Sequence, residues 1–435
     1  MTQPLAIVGG GASGTLAAVA LASRPDSGPV ILLDAEGAFA RGVAYSTEEP
    51  AHLLNIPAGR MSALPDRPSS FLEWLAARGL TADPEAFVER RLYGDYLQSL
   101  LDGTGDRVRR LRARVRALQA DGDGVRLDLE GAPPLRARAA VLALGNFRPG
   151  FPAGWAELPE HLAWRSPWRA GPWPPPDAEV LVLGAGLTAV DVVLSLQARA
   201  HRGRIHLLSR RGLLPATHPP RMFAHLPLPP PPRRLRPLVR MFRDQSARAD
   251  PRAVLDSLRT RLPELWLGLS ADEQGRFLRH LRRWFDVVRH RLAPSVGAQM
   301  ADLQRSGRLV HHAGRLLSVV EERGELAVRY RPRGSRSEAR LLVGLGVPST
   351  GPGLDVRSME DPLVRSLLAS GQARPGPHGL GLATAEDGAV LGSLRDRLWT
   401  LGGLRRGDLW ETTAIIEIRV QARALAATVL SAAAG

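Results

Sequence analysis

The sequence predicts an α/β protein that contains two related strand–turn–helix units, and three observations carry this prediction. An apolar run at residues 5–8 is followed by a glycine-rich turn at residues 9–14 and then by an alanine-rich helix. The same order recurs at residues 179–198. A β-rich segment follows each unit, as expected for a repeat of one architecture. We therefore expect two dinucleotide-binding, Rossmann-like domains with β-meander insertions, and a helical insertion in the second.

The first glycine turn has the spacing of a dinucleotide-binding motif. Gly9 permits a tight turn, Gly11 lets the backbone approach a pyrophosphate, and Gly14 lets the helix pack closely on the strand. The helix that starts at this turn, next to Ser13, offers free N–H groups to phosphate oxygens. Asp34 ends the next apolar run, 20 residues after Gly14. Dinucleotide folds place at this position the acid that binds a ribose 2′-hydroxyl.

The second unit differs from the first at the residues that select the nucleotide. Its expected cofactor contacts lie in the glycine turn and at the following strand tip: Gly184, Gly186, Thr188, Ser209, Arg210 and Arg211. An acid such as Asp34 repels a 2′-phosphate, whereas arginine binds one through charge-assisted hydrogen bonds. We therefore expect FAD in the first unit and NADPH in the second. NADH, with the two arginines as ordinary surface charge, is the alternative.

The composition excludes several kinds of chemistry. The chain of 435 residues has no cysteine and no lysine, so all 58 basic residues are arginine. Disulfides, thiolate metal sites and redox-active cysteine pairs are therefore excluded, as are P-loop and Schiff-base sites, which need lysine. We expect no metal site.

The charge and the apolar runs bear on partners and location. The net charge of +15 could indicate nucleic-acid binding, but the arginines are scattered through every segment. We therefore expect no nucleic-acid partner. No apolar run approaches the roughly 18 residues that cross a bilayer, and the N-terminus lacks a signal-type segment. A cytoplasmic location without a membrane partner is expected, and the sequence leaves the oligomeric state open.

The pattern of elements suggests domain boundaries. We expect residues 1–172 to form the first part of the FAD-binding domain and residues 173–340 the NAD(P)H-binding domain, with residues 341–435 returning to the first. The helical insertion is expected at about 214–307. Its apolar residues recur at helical spacing and predict one packed face: Phe277, Leu281, Trp284, Phe285, Val288 and Leu292. The basic residues beside them predict a solvated face, from which one or two could turn inward toward an anion: Arg279, Arg282, Arg283, Arg289 and His290.

Several stretches resemble the bacterial FAD/NAD(P)-binding flavoproteins related to class B flavin monooxygenases. The stretches are residues 9–14, 42–46, 52–62, 143–149, 184–191, 209–214 and 410–421. The resemblance covers nearly the whole chain, and the stretches 52–62 and 410–421 are its more specific parts. Two positions depart from the family. The chain has Val343-Gly344-Leu345-Gly346 where relatives usually have an Asn-Cys-Thr-Gly-like run, and Gly403 where they have an acid near the flavin ribityl chain.

The resemblance implies a set of flavin contacts and candidate catalytic residues. The expected FAD contacts are Gly9, Gly11, Ser13, Gly14, Asp34, Asn55, Arg60, Met61, Gly145, Gly402, Thr412 and Thr413. The candidate catalytic residues are Arg60, Asn55 and His52. Arg60 would neutralise anionic flavin or a substrate carboxylate, with a structural ion pair as the alternative. His52 would relay a proton, or be a hydrogen-bonded structural histidine. Thr412 and Thr413 would lie where a helix N-terminus meets the flavin pyrimidine, or would simply cap that helix.

The activity implied by the resemblance is that of an NADPH-dependent FAD monooxygenase. Such an enzyme reduces FAD with NADPH, and a C4a-hydroperoxyflavin formed with O2 hydroxylates a small substrate, for which the resemblance suggests the amine of an amino acid. The partners implied are a small-molecule substrate and O2. Two alternatives stay open. One is a flavin-dependent NAD(P)H reductase or dehydrogenase without oxygen insertion, and the other is a non-catalytic nucleotide- or redox-sensing protein.

Overall fold

The structure is a computed structural model that describes residues 3–81, 83–147, 150–168 and 171–432. Fourteen strands occur within these ranges. They are β1 (Leu5–Val8), β2 (Val30–Asp34), β3 (Val108–Arg112), β4 (Val115–Asp121), β5 (Gly124–Leu129), β6 (Leu135–Ala137), β7 (Ala139–Leu142), β8 (Val180–Leu183), β9 (Ile205–Ser209), β10 (Leu309–Glu322), β11 (Glu325–Pro332), β12 (Ala339–Val343), β13 (Leu345–Pro348) and β14 (Leu398–Thr400).

The α-helices of the described ranges cover the sheets and form the insertion. They are α1 (Ala12–Ala22), α2 (Gly42–Tyr45), α3 (Ser70–Ala76), α4 (Arg90–Asp102), α5 (Leu187–Ala198), α6 (Leu235–Ser246), α7 (Pro251–Leu258), α8 (Leu262–Gly268), α9 (Ala271–Arg276), α10 (Arg282–Arg289), α11 (Pro294–Arg305), α12 (Pro362–Ala369), α13 (Arg406–Leu409) and α14 (Ile415–Ala432). A π-helical segment, Phe277–Leu281, joins α9 to α10. None of the helices in these ranges is both long and apolar enough to cross a bilayer.

The first sheet is parallel and has the strand order β14-β7-β1-β2-β3. All four residues of β1 are buried, because α1 and α14 cover one face of the sheet and the β4–β6 meander with α12 covers the other. The last strand, β14, pairs with β7, so the C-terminal part of the chain returns to the first unit. Helix α14 then packs against α1 over the same sheet. An antiparallel meander, β4-β5-β6, is inserted between β3 and β7.

The second sheet has the strand order β12-β11-β10-β9-β8-β13. Strands β13, β8, β9 and the start of β10 are parallel, and the long β10 continues into an antiparallel meander with β11 and β12. The two sheets confirm the predicted α/β fold with two Rossmann-like units and meander insertions.

The strand pairing continues the second unit past residue 340, where the sequence analysis placed a domain boundary. Strand β13 pairs with β8, with Leu345 beside Val180, so the second sheet includes residues up to Pro348. The apolar pattern alone did not predict this strand, because Gly346 lies within it and Gly344 just before it, and glycine is depleted in strands. The structure supplies the reason for Gly346: a side chain there would meet the fully buried indole of Trp155 at 2.8 Å.

The helical insertion does not have the single apolar face that the sequence analysis predicts. The π-helical segment shifts the phase of the helix, so Trp284 is 50% exposed, and Leu292 lies beyond the end of α10. Among the basic residues beside this face, Arg289 turns inward. Its side chain is only 9% exposed and forms an ion pair with Glu411 at 2.8 Å. The insertion thus packs onto the C-terminal part of the first unit.

Candidate functional site

The first glycine turn is built so closely that two of its positions exclude any side chain. Gly9 has a φ of +111°, and a side-chain carbon there would lie 2.3 Å from the Ala143 carbonyl oxygen. A side-chain carbon on Gly14 would lie 1.8 Å from the Gly9 carbonyl oxygen. Helix α1 follows at once, with no side-chain cap at Gly11 and no acid in its first turn. Its first N–H groups are therefore free to receive an anion, as a pyrophosphate site requires.

Asp34 is fixed at the tip of β2 by three backbone amides. Its Oδ2 accepts a hydrogen bond from the Gly10 N–H at 3.1 Å, and its Oδ1 accepts from the N–H groups of Glu36 at 2.9 Å and Ala38 at 3.1 Å. Each carboxylate oxygen can accept about two hydrogen bonds. Oδ2 therefore keeps one acceptor position for a ribose hydroxyl.

The second glycine turn is more open than the first. Gly184 has a φ of +133° and approaches the Ser349 carbonyl oxygen, which a side-chain carbon would reach at 2.2 Å. Gly186 borders open space and precedes α5, whose first turn contains Thr188. Ala189 takes the third glycine position and is fully buried, so a methyl group fits between helix and strand here.

A cluster of four arginines surrounds the tip of β9. Ser209 accepts a hydrogen bond from the Gly212 N–H at 3.0 Å and so orders the loop that carries Arg210 and Arg211. Arg282 and Arg283 reach this loop from α10: burial, followed by the positive charges of Arg210 and Arg282, lowers the pKa of Arg283.

This arginine cluster is poor in counter-charge. Arg282 lies 3.5 Å from Asp286, whereas Arg210, Arg211 and Arg283 form no ion pair with any described residue. Positive charges held together without acidic partners are suited to a phosphate. The sequence analysis identified Arg210 and Arg211 as phosphate contacts. It did not predict that Arg282 and Arg283 of α10 lie near them.

Two glycines with positive φ lie at the carboxyl ends of the paired strands β7 and β14. Gly145 has a φ of +69° and borders open space, and Gly402 has a φ of +70°. A side-chain carbon on Gly402 would lie 3.2 Å from the Ser13 hydroxyl, so this edge adjoins the first glycine turn. Because the carboxyl ends of parallel strands form the binding crevice in such sheets, the edge is a candidate flavin site.

Thr412 belongs to a closed hydrogen-bond ring at this edge and does not act as a helix cap. Its hydroxyl donates to the Gly402 carbonyl at 3.1 Å and accepts from Gln421 Nε2 at 2.7 Å, while Gln421 Oε1 accepts from the Gly402 N–H at 3.0 Å. Thr413 is half-buried and precedes Ala414, whose carbonyl accepts the N–H groups of Glu417 and Ile418 as α14 begins. Thr412 therefore shapes the Gly402 turn and does not cap the helix.

His52 ties the first unit to helix α5 of the second. Its Nδ1 is 2.7 Å from the Thr47 hydroxyl, and its Nε2 is 2.9 Å from both the Asp191 carbonyl and the Ser195 hydroxyl. Arg90 adds a bidentate ion pair to the Asp191 carboxylate, with both distances 2.8 Å. Both ring nitrogens of His52 thus have protein partners, as a structural histidine requires.

Asn55, Arg60 and Met61 lie in different surroundings. The Asn55 carbonyl accepts a hydrogen bond from His218 Nε2 at 2.9 Å, and Asn55 lines a cleft of about 280 Å³ against α5. Met61 is buried. Arg60 is exposed, lines neither this cleft nor the one at the Gly145 edge, and forms no ion pair within the described residues. The candidate catalytic residues His52, Asn55 and Arg60 therefore do not line one common cleft, and their roles stay predictions.

A second cleft opens at the Gly145 edge. It is lined by Gly145, Asn146, Phe147, Gly353, Leu354, Met359, Gly403, Leu404 and Arg406. Gly403 has no room for the acid found in relatives, because a side-chain carbon would lie 2.9 Å from the Gly145 carbonyl oxygen. Arg406 was missed by the sequence analysis, although the arginine doublet Arg405-Arg406, which follows Gly402-Gly403-Leu404, is a signal that could have found it. Among the residues described, no three His, Asp or Glu side chains are grouped to hold a metal ion.

Comparisons with known proteins agree with this geometry. Residues 6–147 match a family model described as FAD-NAD(P)-binding, so the first unit contains a domain of this kind. The resembling stretch 143–149 ends in Arg148 and Pro149, which lie outside the described residues. No curated protein sequence matches the chain significantly.

Three solved structures share the fold over nearly the whole chain. An ornithine N-hydroxylase from Kutzneria sp. 744, in a structure with reduced FAD, NADP⁺ and L-ornithine, is 18% identical, with 99% of each chain covered and a TM-score of 0.69. An L-lysine 6-monooxygenase from Pseudomonas syringae is 17% identical, with 99% of each chain covered and a TM-score of 0.70. An FAD-bound cadaverine monooxygenase from Erwinia amylovora is 14% identical, covering 99% of this chain and 94% of its own, with a TM-score of 0.70.

Proposed function

We propose that this chain, which carries an FAD-NAD(P)-binding domain at residues 6–147, is an NADPH-dependent FAD monooxygenase that hydroxylates the amine of a small molecule. One observation carries the proposal: a single chain holds two glycine turns of opposite charge preference, with Asp34 at the first strand tip and the arginine cluster at the second. The names of the three similar structures, all amine hydroxylases or monooxygenases, support the reaction type.

The residues of the first unit fit FAD. The close-packed turn at Gly9 and Gly14 and the uncapped start of α1 suit the pyrophosphate, and Asp34 suits the adenosine ribose. The open space at Gly145 and the ring of Gly402, Thr412 and Gln421 lie where the flavin would enter. The N-terminus of α14 would stabilise negative charge on the flavin pyrimidine.

The residues of the second unit fit NADPH. Gly186 borders open space at the start of α5, which suits a pyrophosphate. Arg210, Arg211 and Arg283 would bind the 2′-phosphate, which supplies the negative charge that the described residues do not give them. NADH has no group to occupy this cluster, so we expect NADPH to be preferred.

The bound flavin would supply the redox chemistry, accepting hydride and reacting with O2. The chain's own task is to bind, to orient and to exclude water. An aromatic cluster of Trp266, Phe277, Phe285 and Trp410 joins the helical insertion to the C-terminal part beside the cleft. Such a wall would keep water from a reactive intermediate. Arg60 would meet an anionic group of the cofactor or substrate, since it has no ion pair of its own among the described residues.

Turnover measurements test the proposal. NADPH oxidation, O2 consumption and hydrogen peroxide release would be followed in the FAD-loaded protein with and without small amines. A monooxygenase consumes NADPH and O2 in step, and a substrate amine lowers the peroxide released per NADPH. Rapid electron transfer to a dye with no amine-dependent change in peroxide would instead show a reductase, and no NADPH consumption would show a binding protein.

A further inference from the structure

Arg406 is a buried cation whose guanidinium has no hydrogen-bond or ion-pair partner among the described residues. It is only 8% exposed, lies at the start of α13, and lines the cleft that Gly145 and Gly403 also border. No hydrogen bond or ion pair joins its guanidinium to any described residue, and its Nε is fully buried without an acceptor. A buried arginine is ordinarily paired, because an isolated charge away from water is strongly disfavoured.

The acids around Arg406 are engaged elsewhere. Glu411 accepts from Arg289 at 2.8 Å. Asp286 lies 3.5 Å from Arg282. None of these carboxylates forms a hydrogen bond or an ion pair with Arg406. Burial lowers the pKa of Arg406, and the nearby negative charges of Glu411 and Asp286 offset this effect only in part. The cleft itself has no acidic residue in its lining.

A further unpartnered donor lies beside Arg406. The indole Nε1 of Trp410 is also buried without a hydrogen-bond acceptor among the described residues, whereas the Nε of Arg282 lies 3.5 Å from Asp286. The guanidinium carbons of Arg406 and Arg282 lie 5.3 and 5.8 Å from the Trp410 ring centroid, so the three side chains form one group. Trp410 holds a φ of +60°, a strained conformation for a bulky residue, as is often found beside functional sites.

We propose that Arg406, together with the indole N–H of Trp410, is the binding site for a carboxylate of the substrate, and that the substrate is an amino compound of net negative charge. The inference rests on the proposed monooxygenase function. A carboxylate would accept the unused N–H groups and neutralise the buried charge. The cleft offers no acid for a second ammonium group. Diamine-type substrates such as those named for the similar structures, ornithine, lysine and cadaverine, are therefore disfavoured here.

Binding of a small dicarboxylate tests this site without knowledge of the natural substrate. Malonate would be titrated into the protein, both FAD-free and FAD-loaded, and the melting temperature followed against sodium chloride of equal ionic strength. Saturating NADP⁺ keeps the Arg210 cluster occupied. We expect a saturable rise in melting temperature whose midpoint moves at least about tenfold in Arg406→Met. Arg406→Lys, which keeps the charge but not the planar fork, should bind malonate with intermediate affinity.

Two controls separate a carboxylate site from nonspecific anion binding and from a purely structural arginine. Arg236→Met removes the same charge from an exposed position on α6 and should bind malonate like the wild type. The ligand-free Arg406→Met protein should melt no lower than the wild type, because the substitution removes an unpaired buried charge. A lower melting temperature without ligand would show that Arg406 is structural and would overturn the proposal.

The remaining outcomes also decide the question. No saturable malonate effect in the wild type, or an unchanged midpoint in Arg406→Met, contradicts the carboxylate site. If Arg406→Met instead loses FAD affinity while malonate binding persists, the arginine serves the flavin and the proposal is wrong. A protein that takes up no FAD contradicts the monooxygenase function, whereas the FAD-free titration still decides on Arg406. In turnover, the variant should raise KM for an anionic amino acid at least about tenfold while NADPH reduces FAD at the wild-type rate.

Discussion

The two glycine turns of this molecule share one order of elements but differ in how tightly they are built. In the first, a side chain at Gly14 would lie 1.8 Å from the Gly9 carbonyl oxygen, so helix and strand are in closest contact. In the second, the equivalent Ala189 is fully buried and its methyl group fits. The same motif thus tolerates a looser helix–strand contact in one unit than in the other.

The strand tips that follow the two turns also differ, because the tip of β2 is compact and the tip of β9 is open. Asp34 is held by three backbone amides and forms part of a compact turn. The tip of β9 is open and positively charged, and Arg282 and Arg283 of the helical insertion add to this positive charge. The close-packed turn is therefore the one where FAD would stay bound. The open, positively charged strand tip is the one where NADPH would bind and dissociate. Four predictions test this contrast, in order of expected effect.

The largest effect is expected from exchanging the third residue of each turn. Gly14→Ala should destabilise the protein by about 3 kcal/mol or more and abolish FAD binding, because the methyl group clashes with the Gly9 carbonyl. Ala189→Gly should cost only about 1 kcal/mol and leave FAD binding intact. Urea unfolding and FAD titration measure both. Similar losses for the two variants would contradict the difference in packing.

The next effect concerns the arginine cluster. Arg210→Ala should raise KM for NADPH about tenfold to a hundredfold with little effect on NADH, because a charge-assisted phosphate contact is lost. Arg202→Ala, at an exposed position before β9 that pairs with Asp177, is the matched control and should change neither. Equal losses for the two nucleotides in Arg210→Ala would remove the phosphate site from the tip of β9.

A smaller effect is expected at the first strand tip. Asp34→Asn should weaken FAD binding about tenfold and leave KM for NADPH unchanged, because the amide keeps one acceptor oxygen but loses the charge that orders Gly10, Glu36 and Ala38. FAD affinity can be read from flavin fluorescence. A change in NADPH affinity instead would mean that the cofactor assignment is reversed.

The smallest effect is on stability in acid. Burial lowers the pKa of His218 to about 4, and burial with the neighbouring His206 and His311 lowers that of His312 to about 4. Both lie in the second unit. A histidine with a lowered pKa takes up its proton more readily when unfolded, so its contribution is full above about pH 6.5 and lost as the pH falls toward 4. We expect the free energy of unfolding to fall by about 1–3 kcal/mol over this range.

Variants make this pH dependence specific. His218→Gln should flatten the dependence between pH 6.5 and pH 4, whereas the exposed His225→Gln should leave it as in the wild type. Hydrogen exchange at low pH should open the second unit before the first. A pH dependence unchanged by His218→Gln would place the acid sensitivity elsewhere.

The sequence determined the units but not the contacts between them. The glycine turns, Asp34 and Arg210 were predictable because they depend on local geometry at a strand end. The meeting of Arg282 and Arg283 with Arg210 depends on how a distant insertion packs, and the π-helical segment before α10 shifts its phase. Periodicity alone carries no signal for such a shift.

The return strand and the orphan arginine show the same limit. Strand β13 was hidden by Gly346 within it and Gly344 just before it, and the reason for Gly346 is its packing against Trp155. Arg406 looked like one more surface charge in an arginine-rich chain, and only its burial without a partner distinguishes it. Burial and pairing are tertiary properties, so composition and spacing could not reveal them.

The most direct test of binding to two cofactors is an anaerobic absorbance titration of the purified, FAD-supplemented protein. We expect a retained yellow flavin band that bleaches on addition of one equivalent of NADPH, and more slowly with NADH. A protein that stays colourless after incubation with FAD, or a flavin band that NADPH leaves unbleached, would contradict the assignment of the two units.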